Sequence, residues 1–138
     1  MIGRDVSGND VSMPTFILSN RGRQDAAGPN DDEVVSCSPR LLEKIQIALI
    51  NQLKSRGLPH NVRLYTVFRG GYICRRYTTI SNPDTLAAGG ITVPVESLQV
   101  ECNIALTHDQ RSLAPDQEKM IRLRAAFTAA IEIALQPS

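Results

Sequence analysis

Arginine and tyrosine side chains alternate along the middle of the chain, in a pattern suited to contacts with a nucleic acid. Between Lys54 and Tyr77 no Asp or Glu interrupts the basic residues. Arg63, Tyr65 and Arg69 fall on one face if residues 62–69 form a strand, because alternate residues of a strand share a face. Arginine neutralises phosphates and a tyrosine ring stacks on an unpaired base. The pattern predicts an RNA-binding face, and its alternative is the solvated side of a sheet.

Candidate catalytic residues are few. His60 and His108 are the only histidines, and neither has the helical His/Glu spacing of a metal site. The cysteines, Cys37, Cys74 and Cys102, form no CxxC pair and are predicted to be buried thiols. Cys102 falls on an apolar strand face, where a thiol has a raised pKa and little access. We therefore predict no enzyme, no metal and no cofactor; a small enzyme dependent on a histidine is the alternative.

The elements that position these residues follow from periodicity and turn signals. Short β-prone runs at 15–19 and 33–37 predict a hairpin with a wide loop, and residues 41–53 fit either a helix or a strand, with the helical stripe the better match. The Gly70-Gly71 turn joins predicted strands 62–69 and 72–80. A further strand runs from 91–95 into the alternating residues 99–106. Pro115 and Asp116 predict the start of an amphipathic helix, whose apolar stripe is Met120, Leu123, Phe127, Ile131 and Leu135.

Size and composition predict one soluble domain. The chain has 138 residues, a formal net charge of +1, 42% hydrophobic and 21% charged residues, and no apolar run that suits a membrane span. Residues 1–13 are polar and predict a flexible arm, with a single domain over 14–138. The result is an α+β fold with an N-terminal hairpin, an antiparallel meander sheet and a C-terminal helix. One helix leaves the apolar sheet face uncovered, which predicts an obligate homodimer.

Three stretches carry a resemblance to a known family: RRYTTISNP (75–83), GGITVPVESLQVECNIALT (89–107) and the Ala-rich helix at 115–135. In these, and in the order of its elements, the sequence resembles the coat proteins of the single-stranded RNA bacteriophages, the levivirus group. The resemblance implies an interlocked dimer in which each C-terminal helix crosses the partner's sheet, and an icosahedral capsid built from such dimers. It implies location in the virion after synthesis in the bacterial cytoplasm.

The resemblance also implies residue roles. The inward sheet face of the family binds RNA hairpins of the genome, and the matching positions here are Arg63, Tyr65, Arg69, Arg76, Thr78, Gln99 and Asn103. The helix residues Met120, Leu123, Phe127 and Ile131 are placed to form the dimer interface. The alternative function is a ring-forming, tail-terminator-like phage protein that binds no nucleic acid.

Overall fold

The computed structural model describes residues 16–22, 34–64, 74, 77–80, 83–109 and 111–137. Strands and helices both occur within these ranges, so the predicted α+β class is confirmed at that level. In chain order the elements are β1 (Phe16–Ser19), β2 (Arg21–Gly22), β3 (Val34–Val35), α1 (Pro39–Ser55), β4 (Val62–Leu64), α2 (Pro83–Ala88), β5 (Gln99–Cys102), a 3₁₀ helix (Ile104–Leu106) and α3 (Gln117–Ala134).

Helix α1 settles the ambiguity at residues 41–53 in favour of a helix. Its buried residues recur at helical spacing, at Leu42, Ile45, Leu49 and Leu53. Pro39 opens the helix, where a missing N–H costs nothing. The helix ends in a turn at Gly57, whose φ of +66° is readily adopted by glycine.

Helix α3 confirms the predicted C-terminal helix. The Asp116 carboxylate accepts a hydrogen bond from the Lys119 N–H at 3.1 Å and so caps the first turn. One face is buried through three alanines, Ala126, Ala130 and Ala134. Their four-residue spacing follows the helical repeat, so α3 packs by a narrow small-residue stripe and leaves its larger apolar residues mostly less buried.

The strands pair differently from the predicted meander. β1 lies between β4 and β5 in a three-stranded sheet, and β2 pairs antiparallel with β3, with Arg21 opposite Val35. All four residues of β1 are buried, which suits a central strand. The meander prediction is wrong because it paired strands that follow one another in the sequence, whereas β1 lies between β4 and β5. The predicted hairpin of 15–19 with 33–37 is also wrong among the described residues, because β1 pairs with β4 and β5 while β3 pairs with β2, which lies in the predicted loop.

Two predicted strands are also corrected. In the described part of 72–80, Cys74 is helical and residues 77–80 form turns. There the Thr78 hydroxyl accepts a hydrogen bond from the Ile80 N–H, a local bond that competes with strand pairing. The last strand ends at Cys102 because Asn103 caps the 3₁₀ helix that follows. The predicted loop 81–90 contains α2, whose Leu86 is buried.

Packing divides the chain into two compact units. The first unit comprises Met1–Phe16, Ile45–Arg63 and Glu101–Ser138, and the second comprises Ile17–Lys44 and Leu64–Val100. The predicted arm at 1–13 lies outside the described residues, and the single domain over 14–138 stays a prediction. Among the described helices, none is long and apolar enough to cross a membrane.

Candidate functional site

The residues predicted to bind RNA do not share one environment. Arg63 is half-buried, and its Nε donates to Asn61 Oδ1 at 3.2 Å. Thr78 is fully buried, so its side chain is not on a surface. Gln99 is half-buried in β5, and the Asn103 side chain accepts a hydrogen bond from the Ala105 N–H. The others, Tyr65, Arg69 and Arg76, lie outside the described residues.

The residues predicted to form a dimer interface lie along α3. Met120 is exposed, while Leu123, Phe127 and Ile131 are half-buried. The Phe127 ring stacks on Phe16 of the same chain, with centroids 6.1 Å apart and planes 28° from parallel. Phe127 therefore contributes to the packing of the first unit. Its role in a dimer stays a prediction.

Both histidines make local contacts. His108 Nδ1 lies 2.8 Å from Thr107 Oγ1, and His60 Nδ1 lies 3.3 Å from the Leu58 carbonyl oxygen. In the described part of the chain, no three His, Cys, Asp or Glu side chains are placed to hold a metal ion.

A cluster of polar side chains fills part of the interior of the second unit. The Thr78 hydroxyl donates to the Ser36 carbonyl at 2.8 Å, the Ser36 hydroxyl to the Ser97 carbonyl at 2.7 Å, and the Ser97 hydroxyl to the Cys74 carbonyl at 2.6 Å. The Ser97 N–H donates back to the Ser36 carbonyl at 2.9 Å. These bonds tie segments that are far apart in sequence to the turn between β3 and α1.

Asn20 completes the cluster from the end of β1. Its Nδ2 donates to the Cys37 carbonyl at 2.7 Å, and its own carbonyl accepts from the Ser36 N–H at 2.7 Å. The residue is only 1% exposed. Its Oδ1 is buried and accepts no hydrogen bond from any residue that the structure describes. We call Asn20, Ser36, Cys37, Cys74, Thr78 and Ser97 the Asn20 cluster.

An unused buried acceptor is unusual, because leaving such a group unpaired costs about 1–3 kcal/mol. The orientation of the amide follows from its surroundings: only an N–H can face the Cys37 carbonyl, so Oδ1 is the atom left over. A group with an N–H or O–H to donate is the natural partner for it. The Asn20 cluster is therefore the strongest candidate binding site in the described residues.

The carboxylate of Glu96 lies at the edge of the Asn20 cluster. Its Oε1 accepts a hydrogen bond from the Ser38 N–H at 2.6 Å, just before the first residue of α1. The carboxylate thus already occupies the helix end that favours an anion. Burial, then the Glu96 charge, then Cys74 raise the pKa of the Cys37 thiol to about 12. Cys37 is consequently a neutral thiol at pH 7 and a poor nucleophile.

The chemistry open to the Asn20 cluster is recognition. Its hydroxyls donate to main-chain carbonyls, and its Cys37 thiol is protonated. Asn20 Oδ1, a neutral acceptor, is the group of the cluster that accepts no hydrogen bond from a described residue. Sequence reasoning missed this site. The available signals were a polar Asn directly after the buried strand β1 and the SCS run (36–38) between a strand and a helix.

Comparison with known proteins gives one finding on the fold. No family model matches the chain, and no curated protein matches it. A solved structure, the N-formylglutamate amidohydrolase from Ralstonia eutropha JMP134, is similar with a TM-score of 0.50 and 16% sequence identity. The match covers 88% of this chain and 34% of that one, so the chain spans about a third of the enzyme's length.

This likeness overturns the phage interpretation. The fold is similar to that of an amidohydrolase over most of the chain, and the central position of β1 excludes the meander on which the coat-protein resemblance rested. The capsid function and the tail-terminator alternative are both wrong. The prediction that the chain is not an enzyme also conflicts with a fold similar to that of a hydrolase. Whether the residues predicted to bind RNA do so is tested by none of these observations, and it stays a prediction.

Proposed function

We propose that this chain is an amidohydrolase-like protein that binds an N-acylated amino acid through Asn20. The similar enzyme is named for N-formylglutamate, a small molecule with one amide group and two carboxylates. Because the fold match covers about a third of that enzyme, its activity comes to this chain as a proposal only. The likeness over 88% of the chain supports it, and the chemistry of the Asn20 cluster gives it a place.

The observation that carries the proposal is the unpaired Asn20 Oδ1. A secondary amide offers one N–H donor, which matches one neutral acceptor. The hydrogen bond from Asn20 Nδ2 to the Cys37 carbonyl holds Oδ1 in place before a ligand binds. A fixed acceptor binds more tightly because less side-chain freedom is lost on binding.

The hydrolytic step needs more than this site. Hydrolysis of an N-formyl amino acid adds one water to the acyl carbon and breaks the C–N bond, giving formate and the free amine. The Cys37 thiol is protonated, and the Ser36 and Ser97 hydroxyls donate to carbonyls. We therefore assign the Asn20 cluster to orienting the amide of the ligand. None of its residues is assigned the nucleophilic attack on the acyl carbon.

Thermal unfolding with ligands tests the proposal. N-formyl-L-glutamate should raise the midpoint, since a ligand at a hundred times its Kd stabilises by about 2.7 kcal/mol. Its N-methyl analogue, whose amide has no N–H, should bind at least about tenfold more weakly because Asn20 Oδ1 then stays unpaired. Equal stabilisation by both ligands, or none by either at millimolar concentration, would overturn the proposal.

Variants and product detection refine the test. Asn20→Leu should remove the stabilisation by N-formyl-L-glutamate, while Asn51→Leu on the exposed side of α1 should keep it. Formate release that is lost in Asn20→Leu would support hydrolysis by this chain. Binding without formate release would retain the recognition role and reject the hydrolytic one. The N-methyl comparison on the unaltered chain decides the role of Oδ1 even where Asn20→Leu fails to fold.

A further inference from the structure

Helix α3 presents a second face that the packing of the first unit leaves open. Opposite its buried alanines lie Ile121, 55% exposed, and Leu135, 64% exposed at the helix end. Between them on the same side are further exposed residues: Arg124, Ala125, Thr128 and Glu132. Ile121, Thr128 and Leu135 are seven residues apart, which is close to two helical turns. We call these six residues the outer face of α3.

The outer face has an internal symmetry about Thr128. Ile121 and Leu135 each lie seven residues from it, and Arg124 and Glu132 each lie four residues from it. A two-fold axis through Thr128 would place each Ile121 against Leu135 of another copy and each Arg124 against Glu132. Both apolar ends and both opposite charges are matched at the same time. A self-complementary patch of this kind is what a two-fold interface requires.

We propose that the outer face of α3 pairs antiparallel with the same face of a second copy of this chain. The charge pattern fixes the direction, because a parallel pair would place Arg124 against Arg124 and Glu132 against Glu132. The small side chains at Ala125 and Thr128 let the two helices approach closely at the axis. The contact is small, with two charge pairs and two apolar pairs, so the dimer dissociates on dilution.

This interface differs from the one predicted from sequence. That prediction placed Phe127 and Ile131 against a partner, but Phe127 stacks on Phe16 of its own chain and both residues are half-buried. The pairing also does not depend on the proposed function, since the Asn20 cluster contains no residue of α3. Failure of one proposal therefore leaves the other untouched.

Cysteine cross-linking tests the register. In a Cys102→Ser background, which removes the exposed native thiol, Thr128→Cys should give a disulfide-linked dimer under a glutathione redox buffer. Two thiols lose two electrons and two protons to oxidised glutathione as the S–S bond forms. Ala125→Cys should not cross-link, because antiparallel pairing separates the two copies of residue 125 by about 9 Å along the axis. Cross-linking of both variants would show parallel pairing. Cross-linking of neither variant would show that the helices do not pair, and either result overturns the proposal.

Charge reversal tests the chemistry independently. Sedimentation equilibrium should show a Kd for the dimer raised roughly 5- to 30-fold in Arg124→Glu and in Glu132→Arg, since each replaces two attractive pairs by two repulsive ones. The double variant should return to within about threefold of the unaltered chain, because the pairs are restored with reversed sign. Lys54→Glu and Glu43→Arg on the exposed side of α1 are matched controls. Equal behaviour of variants and controls, or a monomer at millimolar concentration, would refute the pairing.

Discussion

The two units of the molecule differ in one respect among the described residues: both bury leucines, but the buried polar side chains all lie in the second unit. In the first unit the fully buried side chains described include Leu49, Leu53 and Ala126, and the Phe16 and Phe127 rings stack. In the second unit Ser36, Thr78 and Asn20 are at most 1% exposed, as are Leu18 and Leu42 of the same unit. Apolar burial has no direction and scales with area. Hydrogen bonds are directional, and losing one partner leaves the other unsatisfied.

This difference separates packing from recognition. An apolar interior accepts several shapes of similar volume, so it defines a fold without placing any one atom closely. A polar interior fixes individual atoms, as Cys37 and Ser36 fix the amide of Asn20. It is stable only where nearly every group is paired. Among the described residues, the one unpaired oxygen of this cluster is therefore the feature on which the proposed function rests.

The largest effect is expected from the apolar interior of the first unit. Leu49→Ala should lower the free energy of unfolding by about 2–5 kcal/mol, because it removes a fully buried side chain and leaves a cavity. Urea denaturation measures the change. Ile47→Ala, two residues away on the same helix but 59% exposed, should stay within about 0.5 kcal/mol. Similar losses in both variants would mean that α1 does not bury the stripe described above.

A smaller effect is expected in the polar interior of the second unit. Thr78→Val keeps the side-chain volume but removes the hydroxyl that bonds the Ser36 carbonyl, so it should cost about 1–3 kcal/mol. Thr85→Val, at an exposed position of α2, is the matched control. Identical urea midpoints for the two variants would contradict a stabilising role for the buried hydroxyl, and the contrast between the units would disappear.

The parts of the fold that sequence predicted are local. Helix α3 was visible because Asp116 supplies a cap and the apolar residues that follow recur with helical spacing. Helix α1 was favoured by the same periodicity at Leu42, Ile45 and Leu49. The sheet order was not predictable this way, since β1 pairs with strands far along the chain and no local pattern specifies such partners. The predicted strand is absent from the described part of 72–80, where side-chain hydrogen bonds at Thr78 replace strand pairing.

The candidate site was missed for the same reason. Its bonds join residues 17, 42 and 61 positions apart, and each residue alone is an ordinary small polar side chain. Charged and aromatic residues are recognised directly in a sequence, so the RNA-binding hypothesis was based on the arginines and tyrosines. The phage resemblance rested on element order without a specific motif. A single well-placed Asn is apparent only once the chain is folded.

The smallest effect concerns the pH dependence that the polar interior adds. The folded state holds the proton of Cys37 more tightly, with its pKa raised from 9.0 to about 12 by burial, Glu96 and Cys74. Well below pH 9 the thiol is protonated in both states and adds no pH dependence. Above pH 9 the unfolded chain releases this proton while the folded chain keeps it. The free energy of unfolding should then fall, by at most about 1.4 kcal/mol per pH unit.

Urea denaturation at pH 8, 9 and 10 isolates this contribution when the unaltered chain is compared with Cys37→Ala. The alanine side chain changes packing by a constant amount, whereas only the thiol changes the slope with pH. The two curves should therefore converge by about 0.3 kcal/mol between pH 8 and 9 and by about 1 kcal/mol between pH 9 and 10. Curves that stay parallel to pH 10 would mean that Cys37 titrates as in the unfolded chain. Since burial is the first cause of the raised pKa, the surroundings of Cys37 in the second unit would then be open to water.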